Sequence, residues 1–458
     1  MKKKAEPRPD IMTSDPDRAR ASGEQPAWLA NRLDWFMDQR FGLILHWAPC
    51  AQWDCIESWP LVPADTWARP DDLPCWTERG RDLPRFSRDY FALNRTFNPV
   101  RFDPDAWAAL AKDAGLRYMA FTTKHHDGFC LFDTATTDYK STHPECPFHT
   151  HPKADAVKAV FDAFRRRNMA ISCYFSKSDW HSPYYWSPDS PPVDRNPNYD
   201  TAKNPERWGR FVDFVHRQVR ELMTGYGPID LLWLDGGQVR PPAQDIRMAE
   251  MAAMARSHQP GLIIADRTVG GPYENIITPE QEIPDKPLGV PWESCITLGR
   301  HWKYNSTDVF KPAAEVIRML VETSAKGGNL LLGVGPDALG VIPPEAEKRL
   351  REIGAWLRVN GEGIYGARPV PPYAAGPVRF TKKAGFVYAF YLPGDAAAAG
   401  GGRLLVEGQR PAPGSAVLRL GSRDPVAWKR EDAGFSLPLP ASAGSPEAAV
   451  VFKFTPES

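Results

Sequence analysis

The feature that most constrains this chain is a repeated cycle in which a short apolar run ends in polar residues and is followed by a loop and an amphipathic helix. Short strands that are apolar throughout are typical of parallel sheets covered by helices. The cycle therefore predicts a (β/α)8-like barrel with its chemistry at the carboxyl-terminal rim. A doubly wound open sheet is the alternative, although no Gly-rich phosphate loop supports it. The predicted strands are 42–45, 118–122, 169–175, 229–234, 262–265, 294–298 and 329–334.

The length and the changes in pattern predict three regions. At 458 residues the chain is too long for one ordinary domain. Residues 1–26 are charged, contain proline and lack periodicity, so we expect them to be disordered. Residues 27–365 carry the barrel pattern. Across 366–458, glycine, proline and alanine separate runs of period two, which predicts an antiparallel β-sandwich whose strands have one solvated face.

Charge and cysteine usage narrow the classes of function. Lys+Arg and Asp+Glu are balanced at 56 each, which removes the basic or acidic footprint expected of a nucleic-acid or membrane-surface protein. No uncharged apolar run approaches the roughly 18 residues that span a bilayer. Seven cysteines without a CxxC pair indicate reduced thiols. No signal-peptide pattern follows Met1, so we expect a cytoplasmic protein, or a secreted one if a leader has been removed. The oligomeric state is left open.

Hydrogen-bonding side chains follow five of the predicted strands. Because the carboxyl ends of parallel strands meet at one rim, these side chains should lie close together. Imidazole, indole and phenol groups present fixed donors and acceptors, as sugar hydroxyls require, so we expect a carbohydrate pocket. The residues concerned are His46, Trp47, His125, His126, Tyr174, Asp235 and Arg267.

A metal site is the competing interpretation of the same rim. Zinc hydrolases built on barrels collect histidines and carboxylates from several strands, as His46, His125, His126 and Asp127 would. Adjacent residues after a strand are expected to point to opposite sides, which weighs against His125 and His126 sharing one ion. A second cluster at 143–151 has no recognised ligand spacing. We therefore expect neither a metal nor another cofactor.

Retaining glycoside hydrolysis needs an ionised carboxylate as nucleophile and a second carboxyl as acid and base. Asp235 suits the first role because it closes a buried strand and is followed by two glycines, which would let substrate approach closely. Glu280 and Glu293 are the candidates for the second role. Their spacing does not choose between them.

Several motifs, taken in order from about residue 34 to 366, resemble the retaining α-L-fucosidase family, glycoside hydrolase family 29. The most specific is Lys124-His-His-Asp-Gly-Phe129. The others are Phe-Gly-Leu-Ile-Leu-His-Trp at 41–47, Leu-Trp-Leu-Asp-Gly at 232–236, Trp292-Glu293, Lys-Gly-Gly-Asn-Leu at 326–330 and Asn-Gly-Glu-Gly-Ile-Tyr at 360–365.

This resemblance implies a barrel followed by a β-sandwich, no metal, and double displacement on fucosylated oligosaccharides or glycoconjugates. It implies that Asp235 is the nucleophile. It ranks Glu280 above Glu293, because Glu280 matches the position used in the branch that prefers α1,3/1,4-linked fucose. The residues that would bind fucose hydroxyls or orient the nucleophile are His46, His125, His126, Tyr174 and Arg267.

The same resemblance is looser at the pocket wall. Glu57 and Trp59 partly match a Glu-Trp segment that lines the pocket, and Trp47, Trp302 or Phe175 would face the methyl group of fucose. Ala48 and Lys303 replace residues common in the family. These departures bear on which sugar is bound, so a related glycosidase for a galactoside stays open, as does an inactive glycan-binding protein.

Overall fold

The structure, a computed structural model, describes residues 26–393, 402–438 and 448–457. Of the N-terminal segment predicted to be disordered, all but Pro26 lies outside the described residues. All seven predicted strands are present and form one parallel sheet. They are β1 (Phe41–Leu45), β2 (Tyr118–Lys124), β3 (Ala170–Ser176), β4 (Leu231–Asp235), β5 (Ile263–Asp266), β6 (Glu293–Thr297) and β7 (Asn329–Val334).

Helices lie between consecutive strands, as the periodicity predicts, except between β5 and β6, which no helix separates in the described part of the chain. In the fourth, Asp103 accepts hydrogen bonds from the N–H groups of Asp105 and Ala106, and Pro104 occupies the first helical position. Trp107 and Leu110 then face the core. The helices are α1 (Ala27–Met37), α2 (Pro74–Thr77), α3 (Leu83–Phe91), α4 (Pro104–Asp113), α5 (Ala156–Arg165), α6 (Pro205–Gly225), α7 (Met248–His258), α8 (Ala313–Ala325) and α9 (Pro344–Asn360).

The sheet curls into a (β/α)8-like barrel whose eighth position is irregular. The strand order is β5-β4-β3-β2-β1-β7-β6, which leaves β5 and β6 as edges. The segment 273–281 hydrogen-bonds to both edges. Asn275 N–H donates to the Ile264 carbonyl on β5 at 2.9 Å, and Glu293 N–H on β6 donates to the Ile277 carbonyl at 2.8 Å. This closing segment, rather than a regular strand, fills the gap.

Helix α1 packs across the amino-terminal end of the barrel. Leu29, Leu33 and Phe36 are buried there against the barrel interior. The Phe36 ring lies 5.2 Å from the Tyr118 ring at the start of β2. The Asn329 side chain, at the start of β7, donates to the Phe36 carbonyl at 2.9 Å. Because this end is filled, the carboxyl-terminal rim is the end at which a ligand can enter.

Antiparallel sheets follow α9, as predicted. Two sheets pack face to face over a shared apolar core that includes Phe380, Phe435 and Phe452. The prediction that each of these strands has one solvated face is wrong for the strand Phe386–Tyr391, because Tyr388 and Phe390 pack into the core of the barrel region. The sheet orders are β13-β12-β16-β10-β9-β8 and β11-β15-β14. The strands are β8 (Arg368–Ala375), β9 (Val378–Lys383), β10 (Phe386–Tyr391), β11 (Arg403–Glu407), β12 (Val417–Arg419), β13 (Pro425–Val426), β14 (Lys429–Glu431), β15 (Gly434–Pro438) and β16 (Val450–Phe454).

Within the described ranges, none of the helices is both long enough and apolar enough to cross a membrane. All seven cysteines are buried free thiols. The change from parallel to antiparallel strands falls between α9 and β8. The boundary at 365/366 remains a prediction of where one folding unit ends.

Candidate active site

The rim of the barrel gathers polar and aromatic side chains from successive strand ends. His46 follows β1, Tyr174 lies on β3 and Asp235 ends β4. The His46 ring lies 5.6 Å from the Tyr174 ring and 5.1 Å from the Trp302 ring, so side chains from β1, β3 and the loop after β6 meet around one pocket. The further members of the ring are His125, His126, Arg267 and Glu280.

Asp235 is held by hydrogen bonds to both carboxylate oxygens. Tyr174 Oη donates to Oδ2 at 2.6 Å, and Arg267 Nη1 donates to Oδ1 at 3.2 Å. The N–H of Gly236 also donates to Oδ1, at 2.8 Å. Burial opposes ionisation, but the Arg267 guanidinium and the Tyr174 hydrogen bond outweigh it and hold the pKa of Asp235 well below its ordinary range. Asp235 is therefore ionised at neutral pH.

His125 and His126 converge on this carboxylate. Their ring centroids lie 4.3 Å apart, and His126 Nε2 lies 3.6 Å from Asp235 Oδ2. The expectation that they point to opposite sides was wrong, because β2 ends at Lys124 and the alternation of an extended strand stops before them. His126 Nδ1 bonds Ser176 Oγ at 2.6 Å, and His125 Nδ1 bonds Ser58 Oγ at 3.0 Å.

The imidazoles of the pocket are neutral at pH 7. Burial lowers the pKa of His126 to about 4 and that of His46 to about 3. Burial also lowers the pKa of His125 well below its ordinary value. His46 Nδ1 is buried and has no hydrogen-bond partner within the described ranges. Neutral rings of this kind can each donate and accept a hydrogen bond, which suits sugar hydroxyls better than an anion.

Glu280 lies on the closing segment at the edge of the same pocket. Arg267 Nη2 donates to Glu280 Oε2, so one guanidinium bonds both Glu280 and Asp235. Trp302 Nε1 donates to Glu280 Oε1 at 3.2 Å. The Glu280 side chain is 27% exposed, which leaves it open to a ligand.

Glu293 occupies a different level of the barrel. It is the first residue of β6, at the amino-terminal end of the strand, and it is fully buried. Its carboxyl group accepts hydrogen bonds from Tyr118 Oη and, at 3.2 Å, from Trp233 Nε1. Burial raises the pKa of Glu293 to about 7. The structure therefore places this glutamate inside the barrel, below the pocket, and not beside Asp235.

Two of the aromatic residues considered for the methyl group also lie away from the pocket. The Trp47 ring packs between the sheet and α4, stacked on Phe102 at 5.0 Å, and its Nε1 donates to the Asp337 carbonyl. Phe175 is buried on the outer face of β3, with the Lys124 ammonium 4.3 Å from its ring centroid. Of the three candidates, only Trp302 lies at the rim.

Trp59 and Glu57 shape the wall of the pocket. The Trp59 ring lies 5.1 Å from the His126 ring, and the Arg195 guanidinium stacks on it at 4.1 Å. Glu57 is buried, and its Oε1 accepts a hydrogen bond from Lys303 N–H at 3.4 Å. The Lys303 ammonium turns away to the Cys50 carbonyl at 3.0 Å. Glu57 thus binds the backbone of the loop that carries Trp302.

A metal fits these residues poorly. Within the described part of the chain, one group, His125, His126 and Asp235, has possible ligand atoms that all lie within 4.8 Å of one another. Arg267 already bonds that carboxylate, and its charge would repel a divalent ion. Asp127 instead accepts a hydrogen bond from Tyr90 Oη at 2.8 Å. In the cluster at 143–151, the Cys146 thiol bonds the Phe97 carbonyl.

Sequence reasoning missed several residues that support this ring. Ser176 holds His126, and Thr278 Oγ1 accepts from Arg267 Nε at 3.1 Å. Lys177 and Asp266 form a buried ion pair next to the ends of β3 and β5. A lysine directly after an apolar strand was a usable signal for the last pair, whereas the hydroxyl contacts have no pattern of their own.

An ionised carboxylate and a second carboxyl, set among neutral imidazoles at the open rim of a barrel, define the site of a glycoside hydrolase. Comparison with known proteins identifies which one. The model of the family described as alpha-L-fucosidase matches residues 18–362. The chain belongs to the α-L-fucosidase family.

Individual proteins similar to this chain are also α-L-fucosidases. The tissue alpha-L-fucosidase of Homo sapiens is 29% identical over 455 residues, covering 92% of this chain and 88% of that protein. The alpha-L-fucosidase of Dictyostelium discoideum is 28% identical over 361 residues, covering 73% and 72%. Alpha-L-fucosidase isoenzyme 1 from Paenibacillus thiaminolyticus has a similar solved structure, with a TM-score of 0.77, 31% identity, and coverage of 94% of this chain and 100% of that chain.

Proposed function

We propose that this α-L-fucosidase releases terminal α-linked L-fucose from oligosaccharides or glycoconjugates by double displacement, with Asp235 as nucleophile and Glu280 as acid and base. The observation that carries the proposal is the Arg267 guanidinium, which bonds both carboxylates at the rim. This guanidinium holds both carboxyl groups at one rim, and the retaining mechanism uses two carboxyl groups that lie close to one substrate. Asp235 is ionised and ready to attack.

In the first step, an Asp235 oxygen forms a bond to the anomeric carbon while the bond to the leaving oxygen breaks. Glu280 gives its proton to that oxygen. In the second step, Glu280 accepts a proton from water, the water oxygen bonds to the anomeric carbon, and the ester to Asp235 breaks. The product is fucose with the configuration of the substrate.

The remaining groups hold the sugar. The neutral rings of His46, His125 and His126 supply donors and acceptors for the hydroxyl groups, and the unpaired His46 Nδ1 is one such position. Trp302 lies against His46 and offers an apolar face to the methyl group. A second candidate, hydrolysis of an α-L-galactoside with the same ring hydroxyls, differs only at that methyl position. Comparing aryl α-L-fucoside with aryl α-L-galactoside as substrates separates the two.

The nucleophile is tested with Asp235→Ala. We expect turnover of an aryl α-L-fucoside to fall by at least about 10⁴-fold, since the covalent step is lost. Sodium azide should restore activity and yield a fucosyl azide of inverted configuration, because azide enters where the carboxylate stood. Near-wild-type activity without azide would refute the assignment of Asp235.

The acid and base is tested with Glu280→Gln. We expect the basic limb of the pH profile of kcat to disappear, and natural fucosides to lose far more activity than a dinitrophenyl fucoside, whose leaving group needs no proton. A Lewis-type trisaccharide with α1,3- or α1,4-linked fucose should be hydrolysed by the wild-type protein. An unchanged pH profile in this variant would exclude Glu280.

A further inference from the structure

A fully buried ion pair lies behind the proposed nucleophile. Lys177 Nζ bonds Asp266 Oδ1, and the two side chains are 0% and 4% exposed. Asp266 is level with Leu234 on β4, and Ser176, the residue before Lys177, is level with Asp235. Because side chains alternate along a strand, Lys177 and Asp266 both point to the outer face, opposite to Asp235. The pair therefore crosses the back of β4 at the nucleophile.

Backbone contacts tie the same three strand ends together. Lys177 N–H donates to the Asp235 carbonyl at 2.9 Å, and Arg267 N–H donates to the Leu234 carbonyl at 3.2 Å. Gly236 has φ +85°, and a Cβ there would lie 3.3 Å from Ser178 N. This glycine was expected to make room for substrate, but it makes room for the 177–178 backbone. The ion pair therefore lies where the ends of β3, β4 and β5 are in close backbone contact.

The turn after Asp266 is strained and needs external support. Thr268 has φ +62°, a left-handed conformation that is unfavourable for a β-branched residue. The buried Glu274 carboxylate accepts hydrogen bonds from Thr268 N–H at 2.9 Å and Gly270 N–H at 2.7 Å. Arg267 lies between this turn and Asp266, so its backbone is held from both sides.

We propose that Lys177 is a positioning residue for the fucosidase reaction. Lys177 holds Asp266 against the end of β3. This contact fixes the backbone position of the next residue, Arg267, and so keeps Arg267 Nη1 3.2 Å from Asp235 Oδ1. This inference rests on the proposed role of Asp235. In an effective dielectric of about 20, moving a guanidinium about 1 Å away from a carboxylate at this distance lowers the equilibrium constant for their ion pair by close to tenfold. A displacement of about 1 Å at the reacting groups can cost up to about 10²-fold in rate.

The test measures kcat and KM on an aryl α-L-fucoside, with thermal unfolding as the readout for stability. For Lys177→Met we expect kcat to fall roughly 10- to 100-fold with a clearly smaller change in KM, because His46 and His125 lie on other strands and only His126 is bonded to Ser176 beside Lys177. Lys177→Arg should recover most of kcat. Since Lys177→Met leaves Asp266 buried without its partner and can unfold the chain, the decisive variant is Lys177→Met/Asp266→Leu. It removes both charges and should regain stability without regaining kcat.

Lys326→Met is the matched control. Lys326 is also a buried lysine, paired with Glu322 at 2.8 Å, but it lies before β7 at the opposite end of the barrel. It should lose stability and keep kcat. Wild-type kcat in the folded Lys177→Met/Asp266→Leu variant would overturn the inference. Asp235→Ala, measured in parallel, separates the two proposals: activity in that variant refutes the nucleophile, whereas an inactive Asp235→Ala beside a fully active double variant refutes only the role of Lys177.

Discussion

Replacing Glu293 by glutamine should stabilise the protein above pH 7 and leave its activity unchanged. Burial raises the pKa of Glu293 from 4.5 to about 7. Between these values the native state binds more protons than the unfolded chain, so stability falls as the pH rises through this window, and the full penalty is present above pH 7. A difference of about 2.5 pKa units corresponds to about 3 kcal/mol.

Glutamine can replace the protonated acid without leaving a hydrogen bond unmade. Its Oε1 can accept from Trp233 Nε1, as the carboxyl oxygen does at 3.2 Å, and its amide can donate to Tyr118 Oη. Tyr118 Oη also lies within hydrogen-bonding reach of the Asn329 side chain, whose Oδ1 is buried without a partner within the described residues, so it can donate there instead. The gain should therefore approach the full pKa contribution rather than be lost to an unpaired group.

The measurement is urea-induced unfolding of the wild-type protein and Glu293→Gln at pH 5 and pH 8, alongside kcat. We expect the variant to be more stable by about 1 kcal/mol at pH 5, where the native carboxyl is protonated and the unfolded one is already partly ionised, and by about 3 kcal/mol at pH 8. Equal stability at both pH values would refute the argument from burial. Loss of the basic limb of kcat would instead make Glu293 the acid and base.

Two further predictions concern the rim. Gly333→Ala should lower kcat about tenfold and stability by about 1–3 kcal/mol, because the new Cβ would lie 2.7 Å from Trp302 Cε3 and displace the indole that bonds Glu280. The control is Gly328→Ala, whose Cβ would meet Trp292 at 2.4 Å near the opposite end of the barrel and which should lower stability alone. Equal losses of kcat in the two variants would contradict this prediction. Overnight treatment with EDTA should leave fucosidase activity unchanged, since Arg267 occupies the carboxylate that an ion would need; loss of activity that added zinc restores would show a catalytic ion.

The parallel strands could be predicted because each buries both faces and so carries a continuous apolar run. The burial of every residue of β1, β2, β6 and β7 is the physical counterpart of that pattern. The helices α4 and α5 could be predicted because each buries one face, so that apolar residues recur at helical spacing. The packing of β10 on the barrel could not be predicted. The alternating pattern of this strand resembles that of a strand with one solvated face, and only Tyr388 and Phe390 indicate that its second face is covered.

The site was predictable where a side chain belongs to a strand end. His46, Tyr174, Asp235 and Arg267 meet at one rim because parallel strands deliver their last residues to the same edge. Trp47 shows where this reasoning fails: it follows His46 directly, and alternation turns its ring to the outer layer. Contacts between loops, such as Ser58 with His125, depend on tertiary folding and leave no periodic signal.

The position of the second carboxyl follows from the irregularity of the barrel. A regular eighth strand between β5 and β6 would carry its own alternation and could face the pocket only at alternate residues. The closing segment instead bonds β5 through Asn275 and β6 through Ile277, Pro279 and Gln281, so its path is set by the two strand edges. Glu280 is brought against Arg267 by this path. The sequence of this segment has no apolar run longer than Ile276-Ile277 and gave no sign of the path. The spacing of the residues therefore did not choose between Glu280 and Glu293, and only the family resemblance ranked them.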